Sequence, residues 1–244
     1  TLKDYGANVS YIGFNFNDSL LKQHKFRKSL TLAVDRQSLI KHFLNDKTRV
    51  AEQILPPEHW AHEKINTLNY NPSLARKYIK ELGIKKPIVI TLKTSTDPFR
   101  VKIATLIQKQ FESIGVKLII KSLDWGTYFK DIQAGEFQLY GLTWVGIRNP
   151  EIYEKIFNSK FIPPKGLNRA GYTNQKMDEL IINAKIFNQW DKVIKKVNTD
   201  NVFMPLWFEG NFAAFNKNIS GYYIHNDGSW DALKTVRKNY VDFN

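Results

Sequence analysis

The 244-residue chain contains no cysteine, which excludes disulfides, thiolate nucleophiles and cysteine-based metal sites. It also lacks any run of about 20 apolar residues, so the sequence predicts no membrane-spanning helix. Neither an initiating methionine nor a signal-like segment opens the chain, so we expect a processed N-terminus or a piece of a longer protein. With 43% hydrophobic and 14% aromatic residues, the composition is nevertheless that of a folded globular protein.

Motifs for covalent or nucleotide chemistry are missing as well. The sequence has no GxGxxG or Walker A pattern that would cradle a phosphate, and no GxSxG elbow that would present a nucleophilic serine. His59 and His62 are three residues apart, as two metal ligands on one helical face would be. They follow Pro56-Pro57 in a predicted loop without a third ligand nearby, so we favour packing or solvation. We predict that the chain is not an enzyme, a hydrolase included, and holds no metal or cofactor.

The charge balance is strongly basic, because Lys and Arg number 36 against 23 Asp and Glu. Such a surplus of 13 suggests a nucleic-acid partner. The basic residues are scattered, however, and the densest runs, Lys22–Lys28 and Lys192–Lys196, have the spacing of solvated helix faces. No RNA-binding or zinc-finger signature accompanies them. We therefore expect no nucleic-acid partner, and keep a basic nucleic-acid-binding module as the alternative.

Periodicity and capping signals predict an α/β fold. Three strands alternate with two helices between residues 86 and 144, which favours packed α/β units with parallel pairs in a mixed sheet. Residues 26–44 predict one helix or two abutting helices, with Asp35 capping the second part. The remaining predicted strands and extended segments are 9–16, 202–207 and 212–215, and further predicted helices follow the caps Asn71, Asp97, Asp124 and Asn174, with another at 190–198.

The stretch from Phe137 to Tyr172 is the richest run of aromatic, amide and arginine residues in the chain. It opens as a strand, and the regular pattern stops after Trp144 in a loop that Pro150 ends. A strand that ends in an aromatic residue and such a loop often presents side chains to a cleft. An ordinary strand and connection is the alternative.

A series of phrases runs through nearly the whole chain in a fixed order. They are YIGFNFNDSLLKQHKFRKSLTLAVDRQSLI, ILPPEHWAH, NYNPSLARKYIKELG, ITLKTSTDPFRVKIATLIQKQFESIGVKLIIKSLDWGTYFKDIQAGEFQLY, LTWVGIRNP, FNSKFIPPKGLNRAGYTNQKMDEL and MPLW. Together they resemble the family 5 extracellular solute-binding proteins, the dipeptide- and oligopeptide-binding components of ABC importers. The resemblance implies a periplasmic-binding-protein-like fold of type II, in which two lobes close about a hinge and trap a ligand.

The resemblance covers only the C-terminal part of the family. It implies that residues 1–220 form lobe two, with a mixed sheet flanked by helices, and that 221–244 form a tail returning to an absent N-terminal lobe. We therefore expect a fragment or truncated product of a periplasmic, or lipid-anchored extracytoplasmic, protein whose export signal lies upstream. The implied partners are a peptide or related small solute, the membrane permease subunits and the missing N-terminal lobe.

The resemblance also implies the ligand-binding residues. Peptide-binding members commonly carry an Asp three positions after the strand's Trp, where it pairs with the peptide ammonium; here that position is Ile147. Burying an ammonium without a carboxylate costs on the order of several kcal/mol, so we expect no amine recognition there. Arg148 and Arg169 would instead suit a carboxylate, phosphate or polar ligand. The candidate residues are Trp144, Ile147, Arg148, Asn149, Asn168, Arg169, Tyr172, Trp125 and Thr94, each with packing, solvation, loop clamping or capping as the alternative role.

Overall fold

The computed structural model describes residues 1–44 and 46–239. Its strands are β1 Leu2–Asp4, β2 Val9–Phe14, β3 Arg49–Val50, β4 Ile88–Ser95, β5 Val116–Leu123, β6 Leu139–Trp144, β7 Phe203–Phe208, β8 Asn211–Ala213, β9 Ile219–Ser220 and β10 Arg237–Lys238. Its α-helices are α1 His24–Ala33, α2 Arg36–Phe43, α3 Pro72–Glu81, α4 Pro98–Glu112, α5 Trp125–Ala134, α6 Ile152–Phe157, α7 Gln175–Phe187 and α8 Trp190–Asp200. The predicted α/β class is confirmed.

Six strands form the main sheet in the order β3-β7-β2-β6-β4-β5. Strand β4 runs parallel to β5 and β6, whereas β2 is antiparallel to β6 and β7, and β3 is antiparallel to β7, so the predicted mixed sheet is confirmed. The cross-strand register pairs Val9 with both Trp144 and Phe208. The carboxyl ends of β4, β5, β6 and β7 therefore lie together with the start of β2. We call this side of the sheet the carboxyl edge.

Helices cover both faces of the sheet, and the alternating side chains of β2 show how they are divided. Ile12 and Phe14 share a buried cluster with residues of α1 and α4, among them Phe26 and Phe111. Tyr11 instead shares a cluster with Tyr128 of α5. Residues of α6, α7 and α8 pack together with Val9 and Phe208 in a third cluster. Burial on both faces explains why β2 and β7 are strongly apolar.

Side-chain caps start the helices where the sequence predicted them. Asp35 accepts a hydrogen bond from the Ser38 amide and thereby separates α2 from α1. The same geometry recurs at the starts of α3, α4, α5 and α7 through the caps Asn71, Asp97, Asp124 and Asn174. Each cap satisfies a backbone N–H that the helix leaves without a partner. These predicted helix starts are therefore confirmed.

The last part of the described chain lies against the carboxyl edge. The Ala7 amide donates to the Asn226 carbonyl at 2.6 Å, and the Asn211 side chain donates to the His225 carbonyl at 2.8 Å. Strand β9 pairs with β10, so a short ladder joins residues on the two sides of position 220. A domain division at that position stays a prediction. Within the described ranges, every helix is too short or too polar to cross a lipid bilayer.

Candidate functional site

Most of the predicted ligand residues lie at the carboxyl edge of the sheet. Thr94 is the next-to-last residue of strand β4. Trp125 begins the helix that follows β5, and Trp144 ends β6. In open α/β sheets this edge is the usual place for a ligand, because the loops after the strands leave a crevice there. The residues form three groups around the edge.

The first group, which we call the aromatic cluster, consists of Tyr11, Trp125, Phe129, Trp144 and Arg169. The Trp144 ring stacks parallel to Tyr11, with ring centroids 5.6 Å apart. The guanidinium carbon of Arg169 lies 4.9 Å from the Trp144 ring centroid and 5.5 Å from that of Phe129. Trp125 stacks in turn on Phe129 at 5.7 Å, while 56% of its surface stays exposed. The Arg169 guanidinium is thus the cation of the cluster, and it packs against the rings of Trp144 and Phe129.

Arg169 uses little of its hydrogen-bonding capacity within the described protein. Its Nη1 donates to the Tyr11 hydroxyl at a long 3.5 Å, and its buried Nε has no acceptor among the described residues. Burial raises the pKa of Tyr11 well above its ordinary value and also raises that of Tyr140, so neither phenol supplies a negative charge. A half-buried guanidinium with free donors suits a carboxylate or another oxyanion.

Asn168 and Tyr172, two other predicted ligand residues, face the interior. The fully buried Asn168 amide donates to the carbonyls of Asn158, at 3.1 Å, and Tyr172, at 2.7 Å, and it accepts from the Tyr172 amide. The Tyr172 hydroxyl donates to Asp200, which helps to raise the pKa of this buried phenol. These contacts clamp the loop that presents Arg169. Direct ligand contact by either residue stays a prediction.

The second group is the loop that carries Ile147, Arg148 and Asn149. Arg148 forms an ion pair with Asp227 at 2.6 Å, and its carbonyl lies 3.0 Å from Nε2 of His59. Burial alone would raise the pKa of Asp227, but the Ser229 amide and Arg148 lower it overall. Arg148 thus already has a carboxylate partner, with which any ligand carboxylate would compete. Asn149 is exposed, and its carbonyl accepts from the Ile152 amide at the start of α6.

A cavity of about 490 Å³ opens beside this loop. Its walls combine apolar residues with charged and imidazole groups, namely Ala7, Pro56, Glu58, His59, Trp60, Ile147, Arg148, His225, Asn226, Asp227, Ser229 and Asp231. The residues that the structure describes contain no group of three His, Cys, Asp or Glu suited to a metal ion. The His62 ring contacts the Leu55 carbonyl and the Gln53 side chain, so it packs against the protein, which is one of the two roles favoured from the sequence.

The third group surrounds Thr94 on the other face of the sheet. Thr94 is only 3% exposed and lines a mainly apolar cavity of about 100 Å³ between the sheet and α4. Ser10, Arg100 and Glu209 line the same cavity. The Glu209 carboxylate accepts hydrogen bonds from the hydroxyls of Ser10, at 2.7 Å, and Thr143, at 3.0 Å. Glu209 was not predicted from the sequence, although a carboxylate directly after the apolar run FMPLWF is an available signal.

The sequence of the chain is similar to those of known proteins. A sequence model described as bacterial extracellular solute-binding proteins, family 5 Middle, matches residues 2–159. The chain is 27% identical to the oligopeptide-binding protein AppA of Bacillus subtilis, over 91% of this chain and 45% of that protein. It is 30% identical to a dipeptide-binding protein of Pseudomonas aeruginosa, over 77% of this chain and 36% of that protein. The chain thus spans less than half the length of these relatives.

Solved structures show the same fold. Bacillus subtilis AppA in complex with a nonapeptide superposes with a TM-score of 0.86 at 24% identity, covering 98% of this chain and 52% of that one. Helicobacter pylori DppA in complex with the peptide STSA gives 0.82 at 20% identity, covering 98% and 49%. Campylobacter jejuni NikZ in complex with Ni(L-His) gives 0.82 at 21%, covering 97% and 53%. The predicted periplasmic-binding-protein-like fold is confirmed.

Proposed function

We propose, because the chain belongs to the bacterial extracellular solute-binding proteins of family 5, that it forms one lobe of the substrate-binding component of an ABC importer. In this proposal, a peptide or related small solute binds between this lobe and a second one, and the closed protein delivers it to the membrane permease. The protein works by binding and release and not by catalysis, in the periplasm or another extracytoplasmic location. The names of the relatives, which are oligopeptide- and dipeptide-binding proteins, support the peptide.

This proposal rests on the hydrogen-bond donors of Arg169, which are largely without acceptors among the described residues. The Arg169 guanidinium is stacked on Trp144, and among the described residues it has no anionic partner and its buried Nε has no acceptor, so it is suited to bind an oxyanion. A peptide supplies one in its terminal or side-chain carboxylate. The surrounding rings of the aromatic cluster would cover the adjoining apolar part of the ligand. Arg148 is the weaker candidate, since it already forms an ion pair with Asp227.

The openness of the aromatic cluster supports a second lobe. Trp125 keeps 56% of its surface exposed at the carboxyl edge, and the chain covers about half of each matched structure. Closure of a facing surface over the ligand would remove these rings and the ligand from water together. Such closure strengthens a charged contact, because it lowers the local dielectric around Arg169.

Native mass spectrometry of the full-length protein, purified from its host, tests the proposal. We expect a bound peptide or a small solute that carries a carboxylate, and loss of about 10- to 100-fold in affinity in the Arg169→Met variant, since a charge-assisted pair is removed. Arg76→Met is the matched control, because it removes an exposed arginine on α3. A protein that carries no solute and binds none from a peptide mixture would contradict the proposal.

A further inference from the structure

Glu209 is a half-buried carboxylate at the carboxyl edge, on the face of the sheet opposite Arg169. Successive side chains of a strand point to opposite faces, so Trp144 contacts Arg169 while its neighbour Thr143 reaches Glu209. The Glu209 amide donates to the Asn8 carbonyl at 2.8 Å, which fixes the backbone beside the start of β2. The side chain is therefore held in place by its own backbone and by two neighbouring strands.

Only one oxygen of Glu209 is engaged by the described protein. Oε1 contacts the Ser10 and Thr143 hydroxyls, which also lie 2.9 Å from each other. The Ser10 and Thr143 hydroxyls have one proton each, so only two of the three contacts among these oxygens can be hydrogen bonds. Oε1 of Glu209 therefore accepts at most two. Among the described residues, Oε2 accepts no hydrogen bond, and no Lys, Arg or His forms an ion pair with Glu209. Half of the carboxylate's capacity is thus available.

Two partly buried carboxylates of this basic chain have a lysine partner: Asp131 pairs with Lys93 at 2.5 Å, and Asp200 pairs with Lys196 at 2.7 Å. Asp18 and Asp178 form no ion pair with the described residues, but each accepts hydrogen bonds on both oxygens, which Glu209 does not. Leaving a half-buried carboxylate without a cation costs stability. A cost of this kind is characteristic of a residue whose partner arrives from outside.

The adjoining cavity indicates what that partner carries. Its volume of about 100 Å³ is room for several water molecules or one medium-sized apolar side chain. Leu92, Phe99 and Ile103 are among the apolar residues of its wall. Arg100 also lines the cavity, but its guanidinium donates to the Gly141 carbonyl at 3.4 Å and forms no ion pair with Glu209. A carboxylate beside an apolar cavity fits a primary ammonium with an attached aliphatic or aromatic group.

We propose that Glu209 binds the α-ammonium of a peptide ligand and that the ligand's N-terminal side chain enters the cavity between the sheet and α4. The inference rests on the proposed function and specifies its substrate as peptides with a free amino terminus and an apolar first residue. Ser10 and Thr143 act as positioning residues, because they hold Oε1 and so direct Oε2 toward the ligand.

The test uses the full-length protein and two synthetic pools of lysine-free tetrapeptides and nonapeptides, the lengths bound by two structural neighbours. One pool has free amino termini, and the other is identical but N-acetylated. Native mass spectrometry measures capture from each pool by wild type, Glu209→Gln and Glu112→Gln. The glutamine at 209 keeps an oxygen for Ser10 and Thr143 and loses only the charge. Glu112, exposed at the far end of α4, is the matched control.

We expect wild type and Glu112→Gln to capture free-amine peptides with apolar first residues, and capture to fall about 10- to 100-fold with the acetylated pool or in Glu209→Gln. The thermal midpoint of Glu209→Gln should equal or exceed that of wild type, whereas a purely structural glutamate would lower it. Equal capture of free and acetylated peptides, or undiminished capture by Glu209→Gln, overturns this inference and leaves the proposed function standing. Capture from neither pool, by a wild-type protein that is folded, overturns both.

Discussion

Arg27 and Arg169 both stack on aromatic rings, but the protein uses their donors in opposite ways. Arg27 lies at the junction of α1 and the end of α8, 4.2 Å from the Phe16 ring centroid. It donates to four backbone carbonyls at 2.5 to 3.0 Å, those of Leu21, Lys22, Asp200 and Asn201. Arg169, at the carboxyl edge, forms one long hydrogen bond within the described part of the chain, to the neutral Tyr11.

This difference separates a structural arginine from a ligand-binding one. Burial lowers the pKa of Arg27 to about 10, and the carbonyls and Asp200 keep the guanidinium charged while it ties the end of α8 to α1. Nothing in the described protein compensates Arg169 to the same degree. A charged group whose hydrogen-bond donors all have acceptors stabilises the fold. A charged group at an open edge whose donors lack acceptors is available to bind a partner.

The largest expected effect comes from making the same substitution at both arginines. Arg27→Met should lower the free energy of unfolding by about 3–5 kcal/mol, because four backbone carbonyls lose this donor and two of them, those of Leu21 and Asn201, belong to buried residues. Arg169→Met should change it by less than about 1 kcal/mol, since only one weak bond is lost and methionine can still pack on the rings. Urea denaturation of the full-length protein measures both. Equal losses in the two variants would remove the distinction.

Asn168 tests the comparison within a single loop, because it directly precedes Arg169 but its side-chain amide has hydrogen-bond partners within the protein. Asn168→Ala should cost about 2–3 kcal/mol, as the Tyr172 amide and the carbonyls of Asn158 and Tyr172 lose their partners in the interior. Ligand affinity should fall less in the folded variant than in Arg169→Met. A variant as stable as wild type, but unable to bind ligand, would show that Asn168 contacts the ligand directly.

Local signals in the sequence were sufficient for the starts of α2, α3, α4, α5 and α7, which have side-chain caps, and for the three strands of the parallel part, whereas α6 was not predicted. A cap such as Asp97 or Asn174 lies next to the helix it begins, so it can be recognised from a few consecutive residues. The pairing of β2 with β6 and β7 was not predictable, because those strands lie far apart in the sequence and periodicity does not encode partners.

The candidate site was predictable in part for the same reason. Trp125, Trp144 and Arg169 were predicted together, and the structure brings them into one cluster with Phe129. The Asp227 partner of Arg148 was missed, because it is distant in the chain. Position 147 is an isoleucine, and the absence of amine recognition there stays a prediction. The Glu209 carboxylate lies elsewhere on the same edge, and it was not predicted. A sequence shows which residue types are present, but not which hydrogen bonds they have already made.

Trp125 gives a smaller effect on stability and extends the comparison to aromatic residues. Trp125→Ala should lower the free energy of unfolding by about 1 kcal/mol, because the ring is mostly exposed and loses one stacked contact with Phe129 and one edge contact with Tyr128. Ligand affinity should fall by about 3- to 30-fold. Ile186→Ala is the control, since Ile186 is an exposed apolar residue on α7. Unchanged affinity in Trp125→Ala would place the ligand outside the aromatic cluster.

The smallest effect concerns His24, a neighbour of Arg27 whose Nε2 lies 2.7 Å from the Thr199 carbonyl and donates to it. Lost hydration and the positive charge of Lys28 lower the pKa of His24 below its ordinary 6.5, so the folded protein favours the neutral ring. The contribution to stability is complete above pH 6.5 and is lost as the pH falls through the lowered folded pKa, because the unfolded chain binds the proton first. The thermal midpoint of wild type should therefore decline across this window relative to that of His24→Gln, and Lys28→Gln should reduce the decline. Identical pH profiles for wild type and His24→Gln would show that this ring adds nothing to the junction that Arg27 holds.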